Sequence, residues 1–136
     1  MLEWNAVEIL IAEDDDMDAE LIIRLLHKIG VTCKLLRVDD GSEALDFLFR
    51  EGKYAFRDHA LPKLILLDVN MQRVGGIEVL RKIRGHASLK ATPVAILTSS
   101  EKHTDFFESQ DMLAWDYLMK PVAAGDLIDL VKQSGL

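Results

Sequence analysis

Short runs of apolar residues alternate along this chain with longer segments in which apolar residues recur every three or four positions. That alternation leaves few architectures open. Strands separated by single helices must run parallel, with the helices shared between the two sheet faces. "VEILIA" (residues 7–12), "KLLRV" (34–38), "LILL" (64–67), "PVAIL" (93–97) and "AWDYLM" (114–119) read as strands. "LILL" and "VAIL" do not alternate apolar with polar, as expected of strands buried on both faces. Pro93 opens the fourth strand at a position where a missing donor is tolerated.

Between the strands lie the helical signals. Leu21, Ile22, Leu25, Leu26 and Ile29 repeat at helical spacing and stop at Gly30, a C-terminal cap. Ser42 is a candidate N-cap for a helix with Ala44, Leu45, Leu48 and Phe49 on one side. Ile77, Leu80 and Ile83 mark a third helix entered through the Gly75-Gly76 turn. The stretch 101–113 is a weakly amphipathic fourth, and Leu127, Leu130 and Val131 a short fifth. "EGKYAFRDHALP" (51–62) reads as a polar connection without period. The expected fold is α/β, a doubly wound, parallel, five-stranded sheet in one domain spanning 1–136, with no second domain for output.

The bulk properties narrow the function. A net charge of −7 supplies no basic stripe for nucleic acid. The single cysteine, Cys33, excludes an internal disulfide and fits a reducing compartment. No uncharged run approaches the roughly 18 residues of a membrane span, and the N-terminus lacks a basic signal region. A cytoplasmic protein is expected.

Polar residues fall where the strands end: Glu13 and Asp14 after the first, Asp68-Val69-Asn70 after the third, Thr98-Ser99-Ser100 after the fourth, Lys120-Pro121 after the fifth. In open α/β sheets ligands bind outside the carboxyl ends of the strands, so these four sets converge on one edge. Up to three carboxylates there would repel one another without a counter-cation. Two cations are on offer, the Lys120 ammonium and a bound metal. Oxygen-only donors select a hard ion, Mg²⁺ first, with Mn²⁺ or Ca²⁺ as alternatives. A hydroxyl from Thr98 and the Lys120 ammonium suit phosphoryl oxygens, and an aspartate can carry the phosphoryl group itself.

With "AEDD", "LLDVNM", "LTSS" and "MKP" at those strand ends, the chain resembles a response-regulator receiver domain over nearly its whole length. The resemblance implies the CheY-like strand order 2-1-3-4-5. It also implies Asp68 as phosphoacceptor and an Mg²⁺ site made by Asp14 directly, Glu13 through water, Asp68, and the backbone carbonyl of Asn70. Thr98 falls on the switch hydroxyl, Lys120 on the phosphate-pairing lysine and Tyr117 on the switch aromatic. Partners implied are a sensor histidine kinase and a downstream protein or homodimer face. "DDDMDAELI", "DGSEALDFLFREGKYA" and "LTSS" further resemble the single-domain regulators of bacterial phytochrome kinases. Gln72 stands where that family usually has proline, so the loop 69–75 is expected to be more mobile.

Plainer readings compete at some positions. Asp15, Asp16 and Asp18 read as a solvated first helical turn that complements the helix dipole, and Ser99 or Ser100 as helix caps. Tyr117 could be simple packing. His27, His59, His86 and His103 show no ligand spacing and read as surface residues. A phosphohydrolase of the haloacid-dehalogenase type needs a second acid two residues past its nucleophile, where this chain has Asn70. A flavodoxin-type phosphate cradle after the first strand would be repelled by "EDDD".

Overall fold

The computed structural model describes residues 4–58, 60–99 and 116–136. Five strands, β1 (Ile9–Ala12), β2 (Leu35–Val38), β3 (Leu64–Asp68), β4 (Val94–Thr98) and β5 (Asp116–Met119), form one sheet. All pairings are parallel and the order is β2-β1-β3-β4-β5. The described helices are α1 (Asp16–Lys28), α2 (Gly41–Phe49), α3 (Gly76–Arg84) and α4 (Ala124–Gln133). None is long and apolar enough to cross a membrane. The helix expected over 101–113, with Ser100, His59, His103 and the first two residues of the strand expected at 114–119, lies outside the described residues.

Each strand buries alternate residues on opposite faces, and each face has its own helices. Ile9, Ile11, Leu64, Leu66, Ala95 and Leu97 pack with Ile22 and Leu26 of α1 and with Leu127 and Leu130 of α4. Leu10, Ala12, Ile65, Leu67 and Ile96 pack with Ala44, Phe47 and Leu48 of α2 and with Val79, Leu80 and Ile83 of α3. Two-sided burial explains why the central strands read as unbroken apolar runs.

Local chemistry refines the expected caps and the expected connection. The N-cap of α2 is Asp40, not Ser42: its carboxylate accepts from the Glu43 N–H at 2.8 Å. Gly30 follows the α1 C-cap, Ile29, with φ +93°. The polar connection 51–62 carries local structure. It opens with a 3₁₀ turn, Gly52–Tyr54, and buries both Tyr54 and Arg57. The Tyr54 ring sits edge-on to Trp4 and Phe47 at 5.0 and 5.2 Å, and its hydroxyl donates to Glu43 Oε2 at 2.7 Å. The Arg57 guanidinium lies 4.2 Å from the Phe47 ring centroid and donates to the carbonyls of Phe47, Leu48, Asp58 and Ala60. It thereby caps the end of α2, whose last carbonyls have no helical partner.

Candidate functional site

Parallel pairing brings the expected residues to one edge. In the β3–β4 register Asp68 lies opposite Leu97, and in β4–β5 Thr98 lies opposite Met119. Two further hydrogen bonds continue the ladder past the strand ends, Val69 N–H to Leu97 O at 3.1 Å and Lys120 N–H to Thr98 O at 2.8 Å. Asp68, Thr98 and Lys120 are therefore held by the sheet itself. Glu13 follows β1 directly, its N–H bonded to Val38 O at 3.2 Å.

At the centre stands Lys120, whose side chain is 18% exposed. Its Nζ pairs with Glu13 Oε1, reaches Asp18 Oδ2 at 3.1 Å and meets Asp68 Oδ2 at 3.2 Å. Burial opposes the ammonium's charge, but the bonds to Glu13 and Asp18 and the Asp68 charge outweigh it and hold the pKa above the ordinary lysine range. Glu13 is fully buried; burial and the adjacent Asp68 carboxylate push its pKa up to about 8, against the pull of Lys120.

Carboxylate oxygens of Glu13, Asp14 and Asp68 all lie within 4.8 Å of one another. Glu13 Oε2 is buried without a hydrogen-bond partner, an uncommon and costly condition for a carboxylate oxygen. Hard oxygen donors, an excess of acids over lysine and an orphaned buried oxygen together fit a divalent cation. Asn70 lies two residues past β3 with its side chain exposed. Thr98 is buried as the last residue of β4, and Tyr117 is half-buried against the α2–α3 face.

Three participants were not legible as such. Asp18, read as a solvated helix residue, contacts Lys120; Asp15 does keep the plain role, capping α1 by accepting from Asp18 N–H at 2.9 Å. Arg37, from the edge strand β2, donates from Nε and Nη2 to the Glu13 carbonyl at 2.9 and 2.8 Å. Gly76 opens α3 so close to β3 that a Cβ there would lie 2.2 Å from the Asp68 carbonyl oxygen. Loop 69–75 is anchored without the missing proline. Arg73 Nε donates to Asp40 Oδ2 at 2.8 Å, and Gly41 N–H to Val74 O at 3.1 Å. A Cβ on Gly41 would fall 2.0 Å from that same oxygen.

The response regulator receiver domain family matches residues 9–132. The chain belongs to that family. It is 35% identical over 126 residues to the probable methanogenesis regulatory protein FilR2 of Methanothrix harundinacea, covering 92% of this chain and 79% of that protein. It is 34% identical over 124 residues to response regulator Rcp1 of Synechocystis, covering 91% and 83%. Among solved structures it superposes on the bacteriophytochrome response regulator RtBRR with TM-score 0.88 at 35% identity, over 96% of this chain and 78% of that one. The phosphorylated cyanobacterial phytochrome response regulator RcpA is similar at TM-score 0.76 and 35% identity, over 93% and 89%. Mn²⁺-bound Rcp1 is similar at TM-score 0.75 and 34% identity, over 94% and 88%. The receiver is a signalling component of two-component systems, in which such domains interact with sensor histidine kinases.

Proposed function

We propose that Asp68 accepts a phosphoryl group from a phosphohistidine, with Mg²⁺ held by Glu13, Asp14, Asp68 and the Asn70 carbonyl. The observation that carries this reading is the buried meeting of Asp68 with Lys120 at 3.2 Å, beside an oxygen cluster spanning no more than 4.8 Å. An Asp68 carboxylate oxygen attacks phosphorus; the new O–P bond forms as the P–N bond breaks, and the leaving imidazole takes up a proton. The metal supplies neutralisation of charge on the phosphoryl oxygens. Lys120, already paired with Asp68, shifts toward a phosphoryl oxygen, and Asp18 keeps it oriented. The Thr98 hydroxyl, one strand away, donates to another oxygen. Its inward movement and that of Tyr117 alter the surface around β4 and β5, which signals to a protein partner or a second copy. Hydrolysis by an attacking water returns the chain to its starting state, with Asn70 beside that water's path.

The donor must approach over the rim of this site. A shallow groove lined by Leu21, Ile22, Leu25, Pro121 and Val122 borders Asp18 and Lys120, and Leu21 is 52% exposed on it. We read this groove as the kinase-facing surface. Similarity to the bacteriophytochrome response regulator RtBRR supports a bacterial phytochrome as that kinase.

Intact mass after incubation with Mg²⁺ and a small acyl phosphate, beside Asp68→Asn, tests the assignment. One phosphoryl group gained by wild type alone, and lost with chelator, is expected. No gain by a chain that still binds Mg²⁺ would replace this reading with phosphorylation-independent binding of a partner.

A further inference from the structure

We infer that Arg37 is a positioning residue for the cation site, acting through the peptide that joins Glu13 to Asp14. The inference rests on the metal site proposed above. Arg37 Nε and Nη2 converge on one oxygen, the Glu13 carbonyl, at 2.9 and 2.8 Å. Nη1 reaches Asp16 Oδ1 in the first turn of α1 at 2.8 Å, and Nε lies 3.4 Å from Asp39 Oδ1 past the end of β2. One side chain thus ties together β2, the turn after β1 and the start of α1.

The held atom matters because of what flanks it. A fixed carbonyl fixes the peptide plane, hence the Cα of Asp14 from which its side chain departs. Asp14 is exposed, unlike its buried cluster-mates Glu13 and Asp68. Its carboxylate is placed by backbone geometry where theirs are placed by packing. A planar guanidinium whose adjacent N–H groups converge on one acceptor while a third reaches sideways suits this task, and a lysine ammonium does not.

The charge of Arg37 works in the other direction. A cation this near an acidic site opposes binding of another cation. The two effects have opposite signs, so substitution separates them. Arg37→Lys keeps charge and aliphatic stem but loses the fork; Arg37→Gln removes the charge as well.

Calorimetric titration of Mg²⁺ into wild type, Arg37→Lys and Arg37→Gln reads the outcome, with metal-free melting curves to verify folding. Supporting-shell substitutions of this kind weaken metal binding by about 10-fold, and that loss is expected for Arg37→Lys. It should persist at about 0.5 M KCl, where exposed charge effects are screened. Unchanged affinity in Arg37→Lys, or tighter binding in Arg37→Gln that salt abolishes, would overturn the inference and leave Arg37 as a mere counter-charge. Failure of wild type itself to bind Mg²⁺ would instead overturn the metal site, and this role with it.

Discussion

Two cations withdrawn from solvent to different degrees, half-buried Lys120 and buried Arg57, sit in environments of opposite kind. Lys120 faces three carboxylates, Glu13, Asp18 and Asp68. Arg57 is satisfied by backbone carbonyls and the face of Phe47, and forms no ion pair among the described residues. Burial lowers the Arg57 pKa, the Arg50 charge lowers it further, and Asp58 offsets only part. Its acceptors are backbone carbonyls, two of them fixed in the end of α2, and these cannot regroup, so Arg57 is a fastener. Carboxylates can exchange one cation for another and can be phosphorylated, so the ammonium of Lys120 has somewhere to go. A buried charge marks function when its partners are themselves ionic and movable.

Exchanging the two cations for neutral residues breaks the comparison most directly. Lys120→Ala should slow phosphoryl incorporation from an acyl phosphate by about 10²–10³-fold, the cost of losing one preorganised donor to a transferring group; the rate of mass gain measures it. The chain should still fold, because Mg²⁺ can offset the carboxylates that lose their ammonium partner. Arg57→Ala should do the reverse. Unpairing buried carbonyls at the end of α2 should cost about 3 kcal/mol of stability by denaturant unfolding, with phosphorylation of the folded fraction unchanged. Parallel losses of rate and stability in both variants would erase the distinction.

Acidity sharpens the same contrast. With the Glu13 pKa raised from 4.5 to about 8, the folded metal-free chain keeps a proton that the unfolded chain has released. Stability linked to that proton is complete below about 4.5 and is lost as pH rises through about 8. Metal-free melting temperature should therefore fall between pH 5 and pH 8, and the increment from Mg²⁺ should be larger at pH 8 than at pH 6. A flat metal-free profile would show that Glu13 is ionised throughout. The smallest effect is expected at the rim. Leu21→Ala should slow transfer from a phosphorylated kinase about fivefold, roughly 1 kcal/mol, while transfer from an acyl phosphate stays as in wild type.

What the sequence made legible follows from these environments. The parallel sheet and the gathering of Glu13, Asp14, Asp68, Thr98 and Lys120 at one edge were readable because strand ends carry polar letters after apolar runs, whereas the strand order came from the resemblance to receiver domains. Arg57 was not readable, since a charge answered by backbone carbonyls leaves no partner in the sequence, and "EGKYAFRDHALP" passes for a solvated linker. Asp18 meets Lys120 across 102 positions, a pairing that no local spacing encodes. Arg37 resembles a solvent-facing residue of an edge strand; its position one residue before the end of β2, beside the acidic turn, was the available sign. Asp40 and Ser42 are both good N-cap residues, and only the actual start of α2 chooses between them.

The close contacts at Gly41 and Gly76 have a consequence for how this receiver can diverge. The segment between Asp68 and α3 is gripped at both ends by backbone touching backbone, with no room for a methyl group at either grip. Its path is fixed while its interior letters are open: Asn70 and Gln72 are exposed, and neither touches a grip. Substitution at these positions can therefore change the chemistry beside the acidic cluster without renegotiating the fold. The rim of the site becomes an adjustable surface mounted on an unadjustable frame.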